Sequence, residues 1–235
     1  MRDVVGVWLG GLDGTTWWEQ DADEPVLAAS LMKVPVAMAA AALDLDRRVL
    51  VHPDFDSVVV GERFTLDEEG DQDPDTWAEV GKPQTLRELR RRSIVHSGNL
   101  ATNLVMEQTG VPACTAVMPQ VRRMISDLPA TDRGIVNEAS ARQWGELLSR
   151  VPAEVEDVMR GQTYRDGIPA GLPAGTPVAN KTGWIDDHAH DMALVRPDDG
   201  AAFALVVLTR LAGVPTAEGN ARIAEVAGEA WERRR

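Results

Sequence analysis

The sequence is nearly without cysteine, is short of basic residues, and has no long apolar run. The one cysteine, Cys114, excludes an internal disulfide and is expected to be a small buried apolar residue. Twenty-four Lys and Arg face 37 Asp and Glu, giving a net charge of −13 and a pI near 4.7. That balance excludes a nucleic-acid partner, which needs a basic face to displace counterions, and it disfavours acidic membrane surfaces. No apolar stretch reaches the length of a membrane span, so no membrane partner is expected. Met1-Arg2-Asp3 leads straight into Val4–Leu9, too short and too poorly flanked for a secretory signal, so a cytoplasmic location is expected. Internal repeats and low-complexity tracts are absent too. What remains is ordinary globular composition, 44% apolar and 26% charged, in 235 residues: one sizeable core or two intimately packed lobes.

Local patterns outline the architecture. Val4–Leu9 and Thr15–Trp18, separated by Gly10-Gly11-Leu12-Asp13-Gly14, read as a β-hairpin. A helix beginning near Ser30 is expected to end near Asp44 to Arg48. Val49–Lys82 reads as an irregular surface excursion whose acidic centre, Asp67–Pro74, is a solvated face. Thr85 followed by Glu88 is a capping signal for a helix ending near His96, with Arg90-Arg91-Arg92 facing solvent. Another helix spans about Leu100–Gln108, stopped by Gly110 and Pro112. Helical patterns recur through Val111–Met124, Ala139–Val151 and Ala153–Gly161. Strand patterns follow at Val178–Thr182, Met192–Val195 and Ala202–Arg210, with a hairpin turn at Pro197–Gly200, and Thr216–Glu232 closes as an amphipathic helix. Strands at both ends and helices between make an α+β chain with one sheet built from both ends.

Three short segments carry chemistry. Ser30 and Lys33 are three residues apart, so on a helix their Cβ atoms lie roughly 5–6 Å apart on one face. A serine hydroxyl needs a base to become a nucleophile, and a lysine is one only if burial or nearby cations deprotonate it. Ser97-Gly98-Asn99 falls in a tight break between helices, and Lys181-Thr182-Gly183 ends a strand. This trio, in this order, resembles the S-x-x-K, S-D-N and K-T-G set of class A β-lactamases and penicillin-binding proteins. Thr85–Leu89 and Leu172-Pro173-Ala174-Gly175 look like the class A branch as well, and the resemblance extends from Val4 to about Ala230.

The resemblance implies a β-lactamase/D,D-peptidase-like fold: an antiparallel sheet flanked by helices, plus an all-helical lobe. As one catalytic domain over 1–235, it would have an α/β lobe at about 1–29 and 162–235 and a helical lobe at about 30–161. The roles it implies are an acylated Ser30, Lys33 taking its proton, and Ser97 passing a proton to the leaving nitrogen, aided by the positive field of Lys181. Asn99 would bind a substrate amide, Thr182 and Lys181 a carboxylate, and the N–H groups of Ser30 and Trp184 an oxyanion. Gly183 and Trp184 would line the cleft, with Trp77 a further candidate, and His190 falls near a position where class A enzymes carry a carboxylate-anchoring arginine. No cofactor is implied. His188 and His190 share a strand face, but no third ligand cluster accompanies them, so no metal is expected.

Two departures set the expected activity. Gly98 stands where β-lactamases carry aspartate. The interval Ser126–Glu138 also looks shortened and lacks the Glu-x-x-x-Asn segment whose glutamate activates water, leaving Asp132 and Glu138 as stand-ins or as caps of nearby turns. The function expected is a serine hydrolase cleaving an amide, ester or β-lactam through acyl-Ser30, with slow release of β-lactams. A D,D-peptidase-like acyltransferase and a sensor that is acylated once are the alternatives. The partner is a small molecule with a carbonyl and a carboxylate. The sequence starts at the first strand, so the N-terminal helix usual in the family is expected to be absent, and the sheet face by the final helix is expected to be under-covered and filled in a homodimer.

Overall fold

The computed structural model describes residues 2–234. The chain opens with β1 (Val4–Gly11) and β2 (Thr16–Gln20), then β3 (Val26–Leu27) and a 3₁₀ turn, Ala29–Met32, which runs into α1 (Lys33–Ala39) and a second turn, Ala40–Ala42. Short elements follow: β4 (Arg48–Leu50), β5 (Asp54–Asp56), β6 (Arg63–Thr65), α2 (Pro74–Trp77) and β7 (Pro83–Thr85). Three helices come next: α3 (Leu86–Val95), α4 (Asn99–Thr109) and α5 (Val111–Val117). Beyond them are α6 (Leu128–Thr131), β8 (Glu138–Ala139), α7 (Ala141–Leu148) and α8 (Ala153–Met159). The last elements are a 3₁₀ turn at Ile168–Gly171, β9 (Val178–Ile185), β10 (His188–Val195), β11 (Phe203–Arg210) and α9 (Thr216–Arg233). These fall into two units, Met1–Leu31 with Glu138–Arg235, and Met32–Asn137.

In the first unit, five antiparallel strands run in the order β2-β1-β11-β10-β9. Side chains alternate between faces along a strand. Val7 and Leu9 of β1, with Leu205 and Val207 of β11, face the core formed with α9 and the Ile168 turn. Gly6, Trp8 and Leu208 face the other way, toward α7. There Gly145 has to be glycine, because a Cβ would sit 2.3 Å from the buried Trp8 ring. The stretch from Glu138 to Gly161, expected in the helical lobe, therefore belongs with the sheet: α7 packs on β1 and β11, and α8 on β9.

In the second unit, α1 is packed by α3, α4 and α5, and Val34, Val36, Ala37, Leu89, Ile94, Leu100 and Leu104 are buried. The first helix stops at Ala42 rather than at 44–48. The backbone of Leu45 and Arg47 is engaged instead with the start of α3, accepting from Arg87 and Leu86 N–H. The Thr85 cap is present, its hydroxyl accepting from Glu88 N–H at 3.3 Å. Helix α5 ends at Val117 rather than 124: Met118 is already extended, and further on Asn137 Oδ1 accepts from the Arg122 and Arg123 amides. Nor do the arginines of α3 all face water: Arg90 is buried, and Arg92 is bonded to Glu88 and paired with Asp73.

Candidate active site

The first unit carries Ser30, Lys181, Thr182, Gly183, Trp184 and His190; the second carries Lys33, Ser97 and Asn99.

In the first unit, the Ser30 turn is fixed from two sides. Leu27, three residues earlier, is held in the β3–β8 pair, and its carbonyl accepts from His190 Nε2 at 2.9 Å. Ala29 has φ +43°, a left-handed conformation unusual for a residue with a Cβ. Gly183 of β9 lies against the turn so closely that a Cβ there would stand 2.9 Å from Ser30 N. On β9, Lys181 is buried and donates to the Thr182 carbonyl at 2.8 Å. Thr182 is 4% exposed and its Oγ1 has no partner among the described residues. Beside it opens a cavity of about 510 Å³ lined by Thr182, Trp184, Tyr164, Asp166 and Asn220 among others. Tyr164 meets Trp184 edge-on at 4.9 Å.

His190, expected as a substrate contact, has its ring nitrogens bonded within the first unit. Its Nδ1 accepts from Thr209 N–H at 3.2 Å and its Nε2 donates to Leu27, so both ring nitrogens are engaged and the ring is buried. Burial, then the neighbouring His188, push it down to about 4, so the imidazole is neutral. It supports the strand that leads to Ser30. The neighbouring His188 has its Nδ1 2.8 Å from an Asp187 carboxylate oxygen. Among the described residues no group of three or more His, Cys, Asp or Glu is placed to hold a metal. Asp191, opposite Thr182 in the ladder, was missed in the sequence. Burial raises it to about 7, opposed by Asn180, the Ile168 amide and Lys181.

In the second unit, Lys33 is fully buried. Its amine faces three acceptors: the Ser97 carbonyl, Ser97 Oγ at 3.3 Å and Asn99 Oδ1 at 2.7 Å. Ser97 can present both oxygens to one amine because it adopts φ +60° in the break between α3 and α4. Such a conformation costs of order 1–3 kcal/mol and persists where the surroundings fix it. Burial lowers Lys33 from its ordinary 10.5 to about 7, against the opposing fields of Asp71 and Asp73. These two aspartates are the other residues missed in the sequence. The acidic run is not merely a solvated face: Asp73 is buried, and Asp71 accepts from the Asn99 and Leu100 amides, both at 2.9 Å. Asp132 and Glu138 are both exposed; Asp132 follows the short α6, and Glu138 pairs with Leu27 in β8. The caps expected of them are supplied by Asp127 for α6 and by Ser140 with Gln143 for α7. Trp77 is tied to Asp71 through its indole N–H at 2.9 Å.

A five-stranded antiparallel sheet bearing Lys-Thr-Gly, and a helical unit holding a buried lysine beside a serine and an asparagine, define an α+β protein of the β-lactamase-like fold class. The model of the beta-lactamase enzyme family matches residues 2–233, so the chain belongs to that family. β-Lactamases of Streptomyces cellulosae and Bacillus amyloliquefaciens are each 27% identical to it, over 169 and 186 residues, or 63% and 70% of this chain. The matched stretches span only 54% and 61% of those relatives' own lengths. Among solved structures, a variant of the last common ancestor of Gram-negative bacteria β-lactamase class A is similar, with a TM-score of 0.79 and 25% identity, covering 98% of this chain and 93% of that one. A class A β-lactamase from Mycobacterium abscessus shares the fold, with a TM-score of 0.78 and 22% identity over 98% of this chain and 93% of its own.

Proposed function

We propose that the protein cleaves an amide, ester or β-lactam through an acyl-Ser30 intermediate and releases the acyl group slowly. The observation that carries this is Lys33: a buried amine, held near 7, hydrogen-bonded to Ser97 and Asn99, three residues after a serine. At neutral pH about half of such lysines hold a free lone pair, against about one in 3,000 for an unperturbed lysine. Ser30 Oγ attacks the carbonyl carbon and its proton passes to Lys33 Nζ. The tetrahedral oxyanion is received by the backbone N–H groups of Ser30 and Trp184. As the C–N bond breaks, the leaving nitrogen takes a proton through Ser97 Oγ, leaving an ester on Ser30. Asn99, whose Oδ1 is occupied by Lys33, offers its Nδ2 to a substrate amide. Thr182 Oγ1, buried without a partner among the described residues, and Lys181 receive a carboxylate.

Slow release follows from what stands in place of the loop glutamate. Asp132 and Glu138 are exposed carboxylates, not enclosed in a pocket where they could hold and activate a water. The same feature favours a second outcome, in which an amine rather than water takes the acyl group. Incubation with a penicillin and a chromogenic cephalosporin, followed by intact-mass spectrometry, tests both. A lasting adduct on Ser30 supports the proposal; added amino acid amides that shorten its life support transfer. Rapid turnover without an adduct refutes slow release, and an adduct that survives Ser30→Ala refutes the nucleophile.

A further inference from the structure

The N-terminus of α4 starts at Asn99, and the residue before it, Gly98, has no side chain with which to cap the helix. A helix start leaves four amides without partners, and Asp, Asn, Ser or Thr at the cap position supplies the usual acceptor. Here the acceptor arrives from elsewhere. Asp71, 28 residues before Asn99, accepts from the Asn99 amide through Oδ1 and from the Leu100 amide through Oδ2. The same carboxylate is steadied by the Trp77 indole N–H and by the Asp73 amide, at 2.9 and 3.2 Å. The volume in front of Gly98 is occupied as well. A Cβ on Gly98 would come within 2.9 Å of both Cβ and Oδ2 of Asp73, which is buried, accepts from Thr76 Oγ1, and pairs with Arg92 at 3.5 Å.

We propose that Asp71 and Asp73 are positioning residues for the Ser97–Asn99 segment: Asp71 supplies the cap that Gly98 cannot, and Asp73 fills the space a side chain at 98 would take. Together they hold Asn99 and Ser97 at the Lys33 amine from a loop remote in sequence. This rests on the function proposed above for Ser97, Asn99 and Lys33. The arrangement is reciprocal. A side chain at 98 is excluded while Asp73 is present, and Asp73 has its place because 98 has no side chain. The pair also forms the negative charge closest in effect to Lys33. The other charged or titratable groups on the elements packed against α1 are Arg87, Glu88, Arg90, Arg91, Arg92 and the terminal His96 on α3, Glu107 on α4, and Cys114 on α5. Of these, Arg87 pairs with Asp46, Arg91 and Arg92 with Glu88, and Glu107 with His52.

The test uses the full chain and a penicillin whose attachment to Ser30 is timed by mass spectrometry, in parallel with ¹³C-lysine NMR titration of Lys33 and amide exchange at Asn99 and Leu100. Asp71→Asn keeps one acceptor and loses the charge. It is expected to slow acylation tenfold or more, speed exchange at both amides tenfold, and move the acid limb of the rate profile and the Lys33 titration to lower pH. Asp71→Glu should restore the charge and the position of that limb. Gly98→Asp alone should slow acylation tenfold or more, and adding Asp73→Gly should bring the rate back to within threefold of the parent. A chain with Asp71→Asn that keeps the parent exchange rates and Lys33 titration, or Gly98→Asp acylating at the parent rate with Asp73 in place, overturns the proposal. If the parent itself is never acylated, the functional proposal fails, while the exchange and NMR titration still decide this one.

Discussion

Replacing Gly183 by alanine tests whether the nucleophile's turn is held by β9. The added Cβ would stand 2.9 Å from Ser30 N, and 3.2 Å from both Ala29 Cβ and Leu31 N. None of the three atoms is the end of a flexible side chain, so no rotamer change relieves the overlap. Ordinary contact begins near 3.4 Å, so either the turn or the strand has to yield by about half an ångström. The turn has little freedom, since Leu31 N–H is bonded to Ala28 O at 3.0 Å, the Leu27 carbonyl is held by His190, and Ala29 is already left-handed. Overpacking of this kind costs about 1–3 kcal/mol of stability. The chemical cost is larger. The Ser30 amide is a proposed oxyanion donor, and loss of one such donor costs about 10²–10³ in rate. A misplacement of about 1 Å alone costs on the order of 10². Gly183→Ala is therefore expected to acylate about 100-fold more slowly than the parent, with only a modest fall in Tm. Single-turnover acylation by a penicillin, timed by mass spectrometry and paired with calorimetry, measures both. A variant that acylates within threefold of the parent while remaining folded would refute the tight fit of strand to turn.

Further outcomes follow from the buried titrating groups and from Thr182. Because Lys33 is the proposed base and can serve as one only when neutral, and burial lowers it to about 7, acylation should fall about tenfold per pH unit below 7 and reach about a hundredth of its plateau at pH 5; a flat profile between pH 5 and 8 contradicts this. Asp191 has a folded value raised to about 7 from 3.8, so its contribution to stability is fully present below 3.8 and is lost as pH rises through 7. Asp191→Asn should therefore gain a few kcal/mol relative to the parent at pH 8 but not at pH 3.5, measured by denaturant unfolding; an equal effect at both pH values would refute the assignment. Thr182→Val removes a buried hydroxyl that has no partner among the described residues, so it should leave stability unchanged or raise it by up to about 1 kcal/mol. It should also weaken binding of a carboxylate-bearing penicillin about tenfold; unchanged binding would remove Thr182 from the carboxylate site.

The features legible in the sequence were those whose signals are local. The Gly10–Gly14 break announced the β1–β2 hairpin, Thr85 with Glu88 announced α3, Gly110 the end of α4, and Pro197–Gly200 the β10–β11 turn. Each depends on partners a few residues away. The three motifs carried the family because their residue types and order are unusual in combination. What escaped the sequence depends on distant partners. Asp71 and Asp73 looked like part of a charge run, and only the bare cap position at Gly98 hinted that α4 needed a carboxylate from elsewhere. His190 suggested a ligand contact, but two backbone groups, Thr209 N–H and Leu27 C=O, have claimed its ring. Helices α7 and α8 carried a clear helical pattern, yet nothing in it said whether their apolar faces would meet strands or helices.

The pairing of β1 with β11 has a consequence for biosynthesis. Val4 lies opposite Arg210, so β1 has no partner on that side until residue 210 has been made. At about 5–20 residues per second that is a wait of roughly 10–40 seconds. Residues 32–137, by contrast, emerge as one uninterrupted segment with their own buried core. Gly183, the residue that braces the Ser30 turn, emerges late in that interval. A nascent chain thus carries Ser30 through most of that interval without the strand that braces its turn, and the turn is fixed only when β9 arrives.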